Sequence, residues 1–503
     1  MKYQSLGYLS SKRMLKAIFL LTVLLTGVLA LGMPVRTVSA AGAITVDRTD
    51  DPAVTTAGAG AAACTAAAND CSLRGAVLGA NANPGTTIHI PSGTYNLAIN
   101  GNSEGGNCGD AAIGDLDIAG NDTNMVGAGA SSTIINQNMP NDRVICVDQN
   151  LAGNFTFSIS DVTISGGRET HGVGGGGMIS GAPGDVTNVT NVIFSNNQAS
   201  GGGSPIGGGL GNGDGTLNVT GSTFVANQSV GSGGGLYFSA NGSAGTLNVT
   251  GATFTNNIST TGDGGAIKVT SSTTPFTITK STFTGNQAQG PGAIGGAVAN
   301  ESGALAIDHS TFINNQVTAS DGRGGAVGSA DGANQDVSIT FSRFVGNTAA
   351  TAANGKVLYG GSSSTLTAND NWWGVNTGPA ANDLAGATTV SNYLMMTLTA
   401  KPNPIQVGQT TVLTASFLKD SASNSIAASD LAVVVGLPAA WGSAVKGKLS
   451  NDQTTIKANG TATANFTAQS VGAGSAAATV DNEAATASIT INDEQIFLPI
   501  IRR

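Results

Sequence analysis

Six times in this 503-residue chain a Phe is followed three residues later by an Asn, at Phe194/Asn197, Phe224/Asn227, Phe254/Asn257, Phe283/Asn286, Phe312/Asn315 and Phe344/Asn347, at Phe-to-Phe steps of 30, 30, 29, 29 and 32. A fixed period of this length marks a stacked repeat, in which each copy buries its apolar face against the next. Five residues before each Phe stands Val189, Val219, Val249, Ile278, Ile307 or Ile339. Seven before it, in five of the six copies, stands Leu217, Leu247, Phe276, Leu305 or Val337. Such alternation predicts a short strand with one buried face, because a helical solenoid would space its apolar positions by three and four. Upstream recur Gly264-Gly265-Ala266-Ile267, Gly295-Gly296-Ala297-Val298 and Gly324-Gly325-Ala326-Val327, with looser copies ending at Leu210 and Leu236. Paired glycines permit positive φ and close backbone stacking, so they predict a corner before another strand.

These units assemble into one coil of a parallel β-helix: Gly-Gly corner, strand, variable loop, strand, small-residue bend, inward Phe, Asn at the next corner. Coils stacked about 4.8 Å apart turn the Phe positions into an internal aromatic stack and the Asn positions into an amide ladder. The turn itself is expected to favour Asn, whose side chain bonds nearby backbone and which tolerates left-handed φ. About ten such coils are expected over residues 86–390, making a rod of about 50 Å.

Residues 1–40 read as an export signal: Lys12, Arg13 and Lys16, an apolar run from Ala17 to Leu31, then Val38-Ser39-Ala40 as the cleavage site. Removing that segment's five basic residues from the 21 Lys and Arg leaves 16 against 30 acidic residues, a net charge of −14 that argues against a nucleic-acid partner. No later apolar run is long enough to span a membrane. The four cysteines, Cys64, Cys71, Cys108 and Cys146, all lie in the first third of the chain. Export makes disulfides their expected use. Of the three connectivities, the local one pairs Cys64 with Cys71 and Cys108 with Cys146, stapling an N-terminal cap over residues 41–85 and the first coils.

The Phe-x-x-Asn and Gly-Gly-Ala-Ile units together resemble the repeats of the polymorphic outer-membrane proteins, surface-exposed β-helical proteins implicated in adhesion. Here no long alternating region follows that would form an outer-membrane barrel. Cys71-Ser72-Leu73-Arg74-Gly75-Ala76-Val77 is similar to the Cys-Ser-Leu-Arg-Glu-Ala-Ile motif that opens many secreted right-handed β-helix proteins of bacteria, with Gly75 in place of Glu. Gly114-Asp115-Leu116-Asp117-Ile118 and Asp142-Arg143-Val144 resemble segments that follow this motif. Asn371-Trp372-Trp373-Gly374 resembles a closing coil, where a bulky aromatic covers the open end of the core. The resemblance spans about residues 64 to 380 and implies a right-handed, single-stranded parallel β-helix in an exported surface protein. From about Met396 the composition changes, and alternating strands such as Thr411 to Phe417 and Thr461 to Ala468 predict a β-sandwich over 396–493. It resembles bacterial immunoglobulin-like domains. Residues 494–503, Phe497 to Arg503 included, form an apolar tail with a basic end.

A β-helix raises the prospect of a polysaccharide lyase or glycoside hydrolase, which requires carboxylates converging within about 5 to 10 Å. Asp263 and Asp321 precede Gly-Gly corners two coils apart, but Ile294 and Gly292 take the matching places between them. Arg168, Glu169 and His171 precede the run Gly174 to Gly177 and read as a solvated loop. Asp308 interrupts a column of Thr190, Thr220, Thr250, Thr279 and Thr340; neighbours in a strand face opposite ways, so Asp308 and His309 need not cooperate. Regularly spaced hydroxyls can also order water as an ice-binding face, but that requires short, uniform turns. The loops here vary, so the column reads as ordinary Thr on a solvated strand. Asp115 and Asp117 share a face and, with Asp110, are the metal candidates, for calcium. No catalytic residue is assigned. The sequence therefore predicts a secreted or cell-surface, non-catalytic protein contacting surface glycans or extracellular proteins, with Tyr95, Tyr237 and Tyr359 as candidate exposed aromatics and a lyase or hydrolase as the alternative.

Overall fold

The computed structural model describes residues 42–54, 64–65, 67–101, 108–147, 154–201, 206–240, 245–271, 275–332 and 335–493. Residues 1–40, read above as an export signal, and residues 494–503, read as a tail, lie outside the described residues. The chain from Ala43 onward is all-β: a parallel β-solenoid of about eight turns, then an antiparallel β-domain. Ten coils were expected, two more than the chain forms.

Each repeat contributes to four parallel sheets of 12, 9, 7 and 10 strands. The repeat of Met178–Ala199 shows the order: Met178–Ser180 in the ten-stranded sheet, Val186–Thr190 in the twelve-stranded, Ile193–Ser195 in the nine-stranded, Gln198–Ala199 in the seven-stranded. The first three follow the expected plan. The fourth, two residues long, carries no periodicity that a sequence can display. Val189, Val219, Val249, Ile278, Ile307 and Ile339 pair in register and are fully buried.

The Phe residues stack as predicted. Centroids from Phe194 to Phe344 are 4.7, 4.6, 5.0, 4.8 and 5.0 Å apart with rings within 11° of parallel. Trp373 continues the column 5.0 Å beyond Phe344. Its neighbour Trp372 turns the other way, meeting Phe417 of the C-terminal domain edge-on at 4.9 Å. One tryptophan closes the solenoid and the other opens the next core, as strand alternation dictates.

The Asn column forms the expected ladder, but its duty differs from the turn-forming one that the sequence suggests. Asn197, Asn227, Asn257, Asn286, Asn315 and Asn347 are all buried, and none of the six has a positive φ. The left-handed backbone sits one residue earlier, at Asn196, Ala226, Asn256, Gly285, Asn314 and Gly346. What the column supplies is buried hydrogen bonding between coils. Asn257 Oδ1 accepts from the Nδ2 and backbone N–H of Asn227 at 3.0 and 3.1 Å, while Asn257 Nδ2 donates to Phe224 O and Asn286 Oδ1, both at 2.9 Å. Both donors and both acceptor sites of the side chain are used. Asn315 repeats the pattern, its Nδ2 donating to Phe283 O and Asn347 Oδ1, both at 2.9 Å. The ends of the ladder are finished differently. Asn197 Oδ1, with no Asn in the coil before it, accepts from Gly167 N at 3.0 Å. Asn347 Nδ2, with none after it, donates to Phe312 O at 2.8 Å and more weakly to Val345 O at 3.4 Å. The φ constraint thus falls on a neighbour that is variously Asn, Ala or Gly, and the amide is required at the six column positions for a reason local turn chemistry does not give.

At the N-terminal end a helix, Leu73–Ala82, covers the open core with Leu73, Val77 and Ala80. The opening motif acquires a physical meaning here. Ser72 caps the helix by accepting from Gly75 N at 3.1 Å. Cys71 is bonded to Cys64. Arg74, fully buried, grips Asp51 at 2.7 and 2.9 Å and donates to the carbonyls of Ala111, Ile113, Gly114 and Asp115. The other bridge joins Cys108 to Cys146, so the local connectivity is the observed one.

The C-terminal domain consists of two four-stranded sheets. One pairs Leu394–Lys401, Thr410–Asp420, Thr461–Ala468 and Gly447–Ser450. The other pairs Ile405–Gln406, Glu483–Asn492, Gly472–Val480 and Ala440–Val445. All contacts are antiparallel except that of Ile405–Gln406 with Glu483–Asn492. Phe417, Leu431, Phe466 and Ile489 are among its buried apolar side chains.

Candidate functional site

Charged and aromatic side chains gather on the outward face of the ten-stranded sheet. Tyr237, Lys268, Ala299, Gly328 and Tyr359 occupy one column through successive register pairs. Gly328 is required there: a Cβ would stand 2.8 Å from Gly295 N and 3.0 Å from Ile294 Cβ of the turn above it. Where the column carries a larger residue, it meets the overlying turn instead. The Arg323 guanidinium lies 4.8 Å above the Tyr359 ring.

Two charge clusters flank the small residues. Lys268 Nζ contacts Asp263 Oδ2 at 2.6 Å and Glu301 Oε2 at 2.8 Å. Burial pushes Lys268 down, but the two carboxylates outweigh it and the ammonium lies above its ordinary value. Arg323 donates to Asp331 at 2.8 Å and to the Tyr359 hydroxyl at 2.7 Å, and that hydroxyl donates to Asp331 Oδ1 at 3.0 Å. The Ser362 amide, Arg323 and Tyr359 hold Asp331 down to about 2. Lys268, Arg323 and Asp331 are therefore ionised at neutral pH. Glu301, Asp331 and Arg323 remain 50, 45 and 37% exposed at the side chain. Lys268 and Tyr359 are three coils apart, about 14 Å. The sequence singles out Asp263, Tyr237 and Tyr359 of this ridge, each for a separate reason; Lys268, Glu301, Arg323 and Asp331 join them only through coil stacking.

The other candidates resolve differently. Tyr95 is core, 3% exposed, its hydroxyl donating to Pro91 O at 2.9 Å. Glu169 is buried and accepts from the amides of His171 and Gly174 at 2.5 and 3.1 Å, which organises the glycine run; Arg168 is exposed beside a small polar cleft near Asn196 and Gln228. His309 Nδ1 lies 2.5 Å from Asp308 Oδ2. The strand-alternation reasoning fails there because the strand ends at Asp308 and His309 has φ 48°, which swings its ring back.

Of the metal candidates, Asp115 and Asp117 do meet, both buried, beside the Cys108–Cys146 bridge. Asp110 is exposed and accepts from Ala112 N in its own turn. The positive charge beside the pair is Arg143, whose Nε is 3.7 Å from Asp115 Oδ2 and whose Nη1 donates to Cys146 Sγ at 2.9 Å. Both cysteines are spent in the disulfide and offer no thiolate. Burial raises Asp117 to about 6; the backbone of Gly109 and Asp110 draws it down without closing a hydrogen bond of ordinary geometry. The folded chain thus holds this proton more tightly than the unfolded chain. Its contribution to stability is greatest below pH 4 and is lost as pH rises through about 6, a cost of roughly 3 kcal/mol at neutral pH. Asp117→Asn is expected to remove that slope and to raise the melting temperature at pH 7, measured by calorimetry across pH 4 to 7.

Fold and face together define a β-solenoid protein with a polar, aromatic-edged ridge and an appended antiparallel β-domain. No family model matches the sequence, and a search of curated proteins finds no relative. Among solved structures, the A-module of the mannuronan C-5 epimerase AlgE6 of Azotobacter vinelandii aligns over 63% of this chain and 94% of its own, at 14% identity and a TM-score of 0.24. A likeness that loose carries nothing about activity.

Proposed function

We propose that this is an exported, non-catalytic surface protein, a right-handed β-helix with polymorphic outer-membrane-protein-like repeats, whose ridge contacts glycans and whose immunoglobulin-like C-terminal domain serves as spacer or attachment module. The observation that carries the reading is the shared column of Tyr237, Lys268 and Tyr359, which sets aromatic faces and fixed charges on one side of a stiff scaffold. Rings and charged hydrogen-bonding groups at a fixed spacing suit sugar rings and their hydroxyl or carboxylate substituents. The carboxylates of the ridge are tied to Lys268 and Arg323, which suits binding better than proton transfer. The export signal and the two disulfides support an oxidising, extracellular setting. Among the described residues no helix is long and apolar enough to cross a membrane.

The test is retention of the mature chain on plant, algal and bacterial polysaccharides, with and without calcium, scored together with release of reducing or unsaturated ends. Retention without cleavage, weakened about tenfold or more by Tyr359→Ala with Arg323→Ala, is the expected result. Cleavage abolished by substitution of Asp115 and Asp117 would make the protein an enzyme instead.

A further inference from the structure

The nine-stranded sheet carries the Phe stack on its inner side and files of β-branched residues on its outer side. Its central strands read Thr223-Phe224-Val225, Thr253-Phe254-Thr255, Thr282-Phe283-Thr284 and Thr311-Phe312-Ile313, with each Phe buried and its two neighbours half-exposed. Register pairs them without slippage: Thr223 to Thr253 to Thr282 to Thr311 in one file, Val225 to Thr255 to Thr284 to Ile313 in the other. In a chain whose mature form carries a net charge of −14, no outward residue of these four strands is charged. Every one is β-branched and presents a γ-methyl, and six add a hydroxyl.

Two features beneath and beside this face favour a flat sheet. Parallel sheets ordinarily twist by roughly 20 to 25° per strand, and flat ones are held by stacking or by side-chain ladders. Both devices are present. The Phe rings below stay within 11° of parallel at 4.6 to 5.0 Å per step, and the Asn ladder runs along one edge. The Thr files therefore repeat at about 4.8 Å along the axis and about 6.7 Å across it.

Loop variability, which counted against a water-ordering face in the sequence, lies elsewhere. Both borders of this sheet are two-residue turns in all six repeats, 191–192 to 341–342 on one side and 196–197 to 346–347 on the other, whereas the other connections run from three to ten residues. The Thr column singled out in the sequence lies on the neighbouring twelve-stranded sheet, and there three of the five hydroxyls are consumed. Thr250 bonds Thr279 at 3.2 Å and Thr340 donates to Asp308, while Asn188, Asn218 and Asn248 form an external amide ladder. Among the described residues the hydroxyls of Thr223, Thr253, Thr255, Thr282, Thr284 and Thr311 have no protein partner.

From this geometry we infer that the Thr face binds the surface of ice. Its two repeats lie close to those of hexagonal ice, so ordered water held by the hydroxyls and packed around the methyls can be continuous with the crystal. A dissolved glycan or peptide, by contrast, would meet no charge, no aromatic ring and no pocket on this face. The rigid scaffold is what the interaction requires, since ordering water on a mobile surface would cost the entropy that a prebuilt lattice has already given up.

The experiment is ice-affinity partitioning and microscopy of single ice crystals with the purified mature chain. The wild type is expected to be incorporated into a growing ice front, to shape crystals and to hold growth below the melting point. Thr253→Tyr with Thr282→Tyr is expected to abolish all three at unchanged melting temperature, because both side chains stand on the surface. Thr220→Tyr with Thr250→Tyr, on the adjacent sheet, is expected to leave them intact. Absence of ice shaping by the wild type overturns the inference, as does equal loss in the control variant. So would dimerisation through this face, or its retention on crystalline cellulose, that the Thr253/Thr282 variant abolishes.

Discussion

Replacing Asn257 by alanine is expected to unfold the middle of the solenoid, while replacing its neighbour Asn256 by glycine is expected to change stability by no more than about 0.5 kcal/mol. The two residues look interchangeable in the sequence. Their structural duties are opposite. Asn257 is fully buried and its amide joins three coils: it receives two donors from Asn227 and gives to Phe224 O and Asn286 Oδ1. Truncation deprives the Asn227 backbone N–H and the Phe224 carbonyl of those bonds, and removes one of the four hydrogen bonds of each of the Asn227 and Asn286 side chains. Each buried polar group left unsatisfied costs about 1 to 3 kcal/mol, so roughly 4 kcal/mol is expected, a large share of the 5 to 15 kcal/mol that holds a typical protein folded. Asn256 is exposed at φ 53°, where other repeats carry Ala226 and Gly285. Glycine adopts that conformation freely. Urea unfolding gives the difference, and hydrogen exchange should show the loss centred on coils 224 to 286, since a repeat interacts only with its neighbours. Equal effects at the two positions would mean that the turn, and not the ladder, is what holds each repeat to the next.

This contrast also shows what a repeat sequence reveals. The Phe column was legible because a stack admits one residue type at one spacing, and the Asn column, from Asn197 to Asn347, for the same reason. The physical duty of Asn was not, because the left-handed turn that Asn commonly serves lies one residue earlier, hidden by alternating Asn, Ala and Gly. The two-residue strands such as Gln198–Ala199 are too short for any period, and the cap helix Leu73–Ala82 contains Gly75 and Gly79, which weaken its signal. The disulfides followed from proximity in sequence. The ridge did not, since Tyr237 and Tyr359 are brought into one column only when loop lengths are resolved coil by coil. Threonines beside Phe224, Phe254, Phe283 and Phe312 were visible throughout. Their significance depended on knowing that the rings beneath them stack parallel and that the borders of the sheet are uniform.

Removing the Asp481 carboxylate is expected to uncouple the C-terminal domain from the solenoid. Asp481 lies in the turn between Gly472–Val480 and Glu483–Asn492 and accepts from Arg343 Nε at 2.9 Å, Arg343 Nη2 at 2.5 Å and Trp372 Nε1 at 2.7 Å. Around it, Asn482 N donates to Gly374 O at 3.1 Å and Asn376 N to Glu483 Oε2 at 2.8 Å. The Arg343 and Asp481 side chains are only 9% exposed, so Asp481→Ala strands a guanidinium and an indole N–H away from water, at about 3 to 5 kcal/mol. Calorimetry should then resolve the solenoid and the domain as separate transitions where the wild type shows them coupled. The loss is chiefly that of the partners left behind and not of an attraction intrinsically strong, so Arg343→Met combined with Asp481→Ala should recover most of it, a buried ion pair replaced by apolar groups being close to neutral. Single-variant losses that simply add in the double variant would show that residues 138 apart in sequence are not coupled. The joint would then rest on the apolar contact of Trp372 with Phe417 and on the hydrogen bonds of Asn482 to Gly374 and of Asn376 to Glu483.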